Sequence, residues 1–218
     1  MLSEIQLEKI NEPLLSWFET HKRVLPWREN PTPYRVWVSE IMLQQTRVEA
    51  VKPYFERFTK ELPNVRHLAE CDEERLLKLW EGLGYYNRVR NMQIAAKTVM
   101  EEYQGKLPAD YEKLLTLKGI GHYTAEDWLK LTAIYYAGAI ASIAFGIPVP
   151  AVDGNVLRVI TRITADDTDI MKQAFRTQME QQLKESMPKE AASAYNQALM
   201  ELGATVCVPN GEPDCDNC

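Results

Sequence analysis

No run of about 18 uncharged apolar residues occurs anywhere in the 218-residue chain, which argues against a membrane-spanning helix. The first fifteen residues, MLSEIQLEKINEPLL, carry acids where a secretory leader would have a basic flank and an apolar stretch. A cytoplasmic protein with no membrane partner is therefore expected. Strict alternation of apolar and polar residues is missing too, and with it the mark of half-buried strands. There is no low-complexity tract, long linker or fixed-period repeat, so composition sets no domain boundary. Cysteine is scarce: of four, Cys71 stands alone while Cys207, Cys215 and Cys218 crowd together. That bunching suits metal ligation in a reducing compartment better than a disulfide framework.

An excess of positive charge is also missing. The net charge is −6, yet residues 166–218 hold ten acids against four bases and supply all of it, leaving residues 1–165 neutral. Between His21 and Arg57 lie seven Lys/Arg and four Asp/Glu, so a nucleic-acid surface, if the chain has one, is expected there. Charge alone does not call for nucleic acid.

What is present is helical periodicity and its punctuation. With 45% hydrophobic and 26% charged residues, the chain can bury a substantial core. Apolar residues recur at helical spacing in Ile10, Leu14, Trp17 and Phe18, in Trp37, Ile41 and Met42, in Leu76, Leu77 and Trp80, and in Leu114 and Leu115. Pro26, Pro31, Pro33, Pro63, Pro108 and the pairs Gly82–Gly84 and Gly119–Gly121 separate these stretches. The pattern predicts an all-α fold of many short helices.

Three segments carry chemistry. In Leu117-Lys118-Gly119-Ile120-Gly121-His122-Tyr123-Thr124-Ala125, two glycines one residue apart permit a tight turn whose bare N–H groups at a helix start can grip a DNA phosphate. The same spacing also serves as a plain connector. In Val149-Pro150-Ala151-Val152-Asp153-Gly154-Asn155, one carboxylate precedes a helix; it can cap that helix and can stabilise a cation developing at a sugar's anomeric carbon. In Trp37-Val38-Ser39-Glu40-Ile41-Met42-Leu43-Gln44-Gln45-Thr46, a single acid sits on an apolar, amide-rich helix. Such an acid is either solvated or, when partly buried, raised in pKa and able to act as a general acid.

Together with Leu25-Pro26-Trp27-Arg28 and Gly82-Leu83-Gly84-Tyr85-Tyr86-Asn87-Arg88-Val89-Arg90, these segments run in order from Leu25 to Cys218. As a set they resemble the helix-hairpin-helix (HhH-GPD) base-excision glycosylases of the endonuclease III superfamily, and within them the MutY-like adenine glycosylases. The resemblance implies hydrolysis of the N-glycosidic bond of adenine opposite 8-oxoguanine or guanine in double-stranded DNA, by a monomer. It makes Glu40 the acid that protonates adenine at N7, Asp153 the support of the oxocarbenium-like sugar, and Asn155 a residue orienting that site. Trp27 and Arg28 line the adenine pocket; Gly119, Gly121 and His122 hold DNA; Gln45 and Tyr85 wedge into the duplex beside the lesion, with Gln44 and Thr46 adjoining. Tyr86 can equally be packing. Bifunctional relatives place a Lys where this chain has Tyr123, and a phenol cannot form a Schiff base. Base removal is expected to stop at an abasic site.

The chain departs from the family pattern in two places. Glu126 to Ala137 (EDWLKLTAIYYA) intervenes where Gly-Ala-Ile-Ala-Ser should follow at once. As continued helix it would add about 18 Å and about 120° of rotation, so for an active enzyme it is expected to bulge out or to replace part of the original helix, and its excision to improve stability and activity. Trp128, Leu131, Ile134 and Tyr135 also fit an added turn or two. Second, the family holds a [4Fe–4S] cluster with four thiolates at Cys-x6-Cys-x2-Cys-x5-Cys, whereas here Cys207-x7-Cys215-x2-Cys218 offers three. The cluster is expected to be absent or partial, and the family's C-terminal 8-oxoguanine recognition domain is missing from the sequence. The expected architecture is a helical barrel over residues 28–146 and a split module of residues 1–27 plus 147–218, with the cleft between them. The competing readings are an endonuclease III-like pyrimidine glycosylase, against which Tyr123 and Gln44-Gln45 argue, and a DNA-binding remnant without catalysis.

Overall fold

A computed structural model describes residues 7–121 and 127–218, with the side chains of residues 127–134 left aside. Among these residues the chain is helical without strands, and none of its helices is long and apolar enough to cross a membrane. The helices are α1 (Asn11–His21), α2 (Pro26–Glu29), α3 (Pro33–Met42), α4 (Val48–Glu61), α5 (Val65–Glu70), α6 (Glu73–Trp80), α7 (Asn87–Glu102), α8 (Tyr111–Thr116), α9 (Asp127–Phe145), α10 (Gly154–Thr164), α11 (Gln173–Ser186) and α12 (Ala192–Thr205). Single 3-10 turns at Lys189–Ala191 and Cys215–Asn217 complete the order.

The breaks fall where local chemistry puts them. Pro26 and Pro33 occupy the first turns of α2 and α3, where a missing N–H costs nothing. The side chains of Thr32, Asn64, Asp72, Asp110 and Asp153 each accept a backbone N–H at the start of the helix that follows.

The chain forms two compact units, one of residues 1–23 and 141–218 and the other of residues 24–140. In the 24–140 unit, Trp37, Phe55, Phe58, Leu68, Leu76, Trp80, Val89, Met92 and Leu114 are fully buried. Phe58 meets Trp80 edge to face at 5.9 Å. In the split unit, the apolar faces of α1, α10, α11 and α12 close on one another through Leu14, Phe18, Leu157, Ile160, Leu183, Tyr195 and Leu199. A half-buried ion pair fastens the chain just past α1 to α12: Glu201, 1% exposed, accepts from Arg23 Nε at 2.6 Å, Nη2 at 3.0 Å and the Arg23 backbone N–H at 3.0 Å. α10 and α12 approach so closely that a Cβ on Gly203 would stand 2.7 Å from that of Asn155.

From Asp127 to Ala137 the intervening segment does not bulge. From Asp127 onward it is continuous with α9, which runs unbroken to Phe145. Ala137 is fully buried and Tyr135 and Tyr136 pack edge to face at 5.0 Å, so the C-terminal part of the segment belongs to the body of the 24–140 unit. Of the two expected arrangements the helical one is seen, and on it excision of residues 126–137 is expected to lower stability, because it removes buried surface and Tyr135, a hydrogen-bond partner of Glu40. The physical reason is that helix propagation costs little once nucleated, and residues such as Leu131, Ala133 and Ala137 are compatible with it. Trp128, Leu131 and Ile134 lie outside the described side chains.

Candidate active site

Glu40 sits in the second half of α3, between Ser39 and Ile41, and only 6% of it is exposed. The solvated alternative is thereby excluded. Its Oε2 accepts a hydrogen bond from the Tyr135 hydroxyl at 2.9 Å. A carboxyl held this way has a defined orientation, which a general acid requires. The sequence held no signal for Tyr135 beyond its helical spacing, because the contact joins positions 95 residues apart.

Past the end of α3 the chain turns sharply. Gln45 has φ 54° and is exposed; Gln44 and Thr46 are half-buried, the Thr46 hydroxyl donating to the Gln44 carbonyl at 3.1 Å. The second glycine-rich loop ends on Tyr85, with φ 45° and 70% exposed. Left-handed backbone in residues bearing a Cβ costs on the order of 1 kcal/mol or more and persists only where the surroundings impose it. Tyr86 is partly exposed, so it is not core packing. Trp27 by contrast is buried, edge-on to Phe55 at 5.4 Å, and Arg28 beside it is half-buried.

The glycine turn after α8 needs both its glycines. Gly119 has φ 82°, and a Cβ on Gly121 would meet the Leu115 carbonyl oxygen at 1.6 Å. Ile120 between them is fully buried, anchoring the turn. His122 and Tyr123 lie outside the described residues.

Asp153 belongs to the split unit. Its Oδ1 accepts the Val156 N–H at 2.8 Å, so it is the N-cap of α10, and its Oδ2 accepts from Asn155 Nδ2 at 2.7 Å. Burial pushes the Asp153 carboxyl above the usual carboxylate range, against the pull of these hydrogen bonds and of the nearby Arg158 charge. Part of its surface nevertheless remains accessible. Asn155 is itself fixed by Arg158, whose Nη2 donates to Asn155 Oδ1 at 2.9 Å and to the Gly203 carbonyl at 2.7 Å. Asn196, buried on α12, holds the approach to Asp153 by donating to the Val149 carbonyl at 2.9 Å and accepting the Ala151 N–H at 3.0 Å. Arg158 and Asn196 are supports that the sequence reading missed.

The thiols give a weaker site. Cys207 is buried and its Sγ accepts from Arg162 Nη1 at 3.3 Å, while Cys215 and Cys218 are exposed. Burial and the neighbouring Cys207 and Cys215 push the Cys218 thiol up. Cys71 lies in the other unit, its thiol directed to the Asp72 carbonyl at 3.3 Å. Among the described residues no group of three or more His, Cys, Asp or Glu is arranged to hold a metal ion. Cys207, Cys215 and Cys218 are the thiols that the split unit offers to a metal or cluster.

Residues 38–189 match the HhH-GPD superfamily of base excision DNA repair proteins, and the chain belongs to that family. Among curated relatives it is 42% identical over 217 residues to an adenine DNA glycosylase of Mus musculus, covering 94% of this chain and 39% of that protein. The chain thus spans about two fifths of the length of that relative. Among solved structures, a thermostable thymine-DNA glycosylase aligns with TM-score 0.81 at 23% identity over 98% of this chain and 93% of its own. Endonuclease III in a trapped covalent DNA intermediate aligns with TM-score 0.77 at 23% identity, over 100% and 93%. The all-α glycosylase fold expected from the sequence is the fold observed.

Proposed function

We propose that this chain is the catalytic portion of a monofunctional adenine DNA glycosylase, which hydrolyses the N-glycosidic bond of adenine mispaired with 8-oxoguanine or guanine in double-stranded DNA. The observation that carries the reading is the 42% identity to an adenine DNA glycosylase across 94% of the chain; the buried, hydrogen-bonded Glu40 supplies the acid such chemistry needs. In this reading Glu40 protonates adenine at N7 and the base departs as a leaving group. The ionised Asp153, oriented by Asn155, supports the positive charge on the sugar, and water adds to C1′. One water is consumed, and free adenine and an abasic site result. Trp27 and Arg28 border the base, the Gly119–Gly121 turn holds a phosphate, and Gln45 and Tyr85 enter the duplex as adenine leaves the stack. Tyr123 in place of a lysine leaves no amine there to form a Schiff base.

Incubation with an A:8-oxoguanine duplex is expected to give free adenine and alkali-labile abasic strands, and borohydride to trap no abundant covalent adduct. Release of an oxidised pyrimidine with abundant trapping would overturn the assignment in favour of endonuclease III-like chemistry. DNA binding without release of any base would leave only the remnant reading.

The thiol geometry leads to a separate expectation. Protein purified without oxygen is expected to carry fewer than four irons and four acid-labile sulfides per chain, because three crowded thiols leave one iron without its protein ligand and open to oxidation. A full complement with broad visible absorption would show that another group completes the site.

A further inference from the structure

Gln45 and Tyr85 lie on two separate loops of the 24–140 unit, 40 positions apart in sequence, and both hold left-handed backbone. Between the loops stands Arg88, 9% exposed, at the second position of α7. Its Nη1 donates to the carbonyls of Ile41 at 3.0 Å and Gln44 at 2.7 Å; its Nη2 donates to those of Leu83 at 2.9 Å and Gly84 at 3.3 Å. One guanidinium therefore holds the peptide that leads into Gln45 and the peptide that leads into Tyr85. The Arg88 backbone N–H donates to the Tyr85 carbonyl at 2.9 Å, and its Cζ lies 5.6 Å from the Tyr85 ring and 5.4 Å from that of Trp80. Burial lowers its pKa from the usual arginine value, which is the expense of keeping a cation here rather than an apolar side chain.

We propose that Arg88 is a positioning residue that sets the spacing of the two loop ends, so that Gln45 and Tyr85 enter the duplex as one rigid pair. The planar fork is what makes this possible. Its two terminal nitrogens point to different loops, whereas a lysine places all its donors on one atom and cannot span both. The inference rests on the reading of Gln45 and Tyr85 given under the proposed function.

The test uses the full chain and a duplex in which 2-aminopurine replaces the target adenine, so that fluorescence rises when the base leaves the stack. Arg88→Lys is expected to suppress most of that rise and to slow single-turnover adenine release by about tenfold to 100-fold, the scale of an ångström misplacement, while affinity for undamaged duplex stays within about twofold because the buried guanidinium meets no phosphate. Arg88→Gln, whose amide reaches one loop only, is expected to behave alike and serves if Arg88→Lys does not fold. In a double-mutant cycle, Gln45→Ala or Tyr85→Ala added to Arg88→Lys is expected to cost little beyond the larger single loss. Fully additive losses, or a wild-type fluorescence rise in Arg88→Lys, would overturn the inference alone. An unchanged rise in both Gln45→Ala and Tyr85→Ala would overturn the reading of those two residues and the inference with it.

Discussion

Glu40→Gln is expected to lower single-turnover adenine release from an A:8-oxoguanine duplex by about 10²–10⁴-fold, the usual contribution of a placed general acid, with duplex affinity and thermal stability close to wild type. The amide has the shape of the carboxyl, and its oxygen can accept the Tyr135 hydroxyl that Glu40 Oε2 now accepts at 2.9 Å. α3 should therefore be undisturbed. What the amide lacks is a proton to give. Wild-type-like release would remove Glu40 from the mechanism, and a large loss of stability would show the substitution to be uninformative about chemistry.

Asp153→Asn separates charge from capping in the same way. Asparagine caps helices as well as aspartate does, so the Val156 N–H that Asp153 Oδ1 accepts at 2.8 Å keeps its partner. Loss of the negative charge opposite the sugar is expected to cut release by about 10²–10³-fold, by analogy with the removal of one preorganised electrostatic group. Stability should move the other way. Burial raises the folded-state pKa of Asp153 above its unfolded value, so the folded protein holds that proton more tightly. The contribution is favourable in acid and is lost as pH rises from the ordinary carboxylate range through the raised folded value. Above the raised folded value the wild type bears the full cost of a buried charge, and Asp153→Asn does not. Melting temperatures are thus expected to match or exceed wild type at pH 7, with the difference shrinking below pH 4. A destabilisation that grows with pH would contradict this account of the carboxyl, and undiminished release would contradict its role.

The local elements were legible because their causes are local. Pro26 and Pro33 at helix starts, and the cap Asp153, act within four residues of themselves. The glycine turn was likewise legible, since a Cβ on Gly121 would strike the Leu115 carbonyl only six residues back. The path of residues 127–137 was left open in the sequence for the opposite reason. A family pattern states where a helix usually runs, whereas this chain's own residues decide how far it extends, and α9 carries residues from Asp127 to Phe145 without a break.

The sequence by itself determined the helical class, the order of the motifs and the residue types able to do the chemistry, because periodicity, capping and turn stereochemistry depend on near neighbours along the chain. Tertiary structure alone decided that Glu40 is buried rather than solvated, that Tyr135 is its partner, and that Arg88 ties the loop of Gln45 to the loop of Tyr85. Tyr135 lies 95 positions from Glu40, and Arg88 lies 44 from Gln44; burial and orientation across such separations are set by how helices pack, which no local pattern in a single chain encodes.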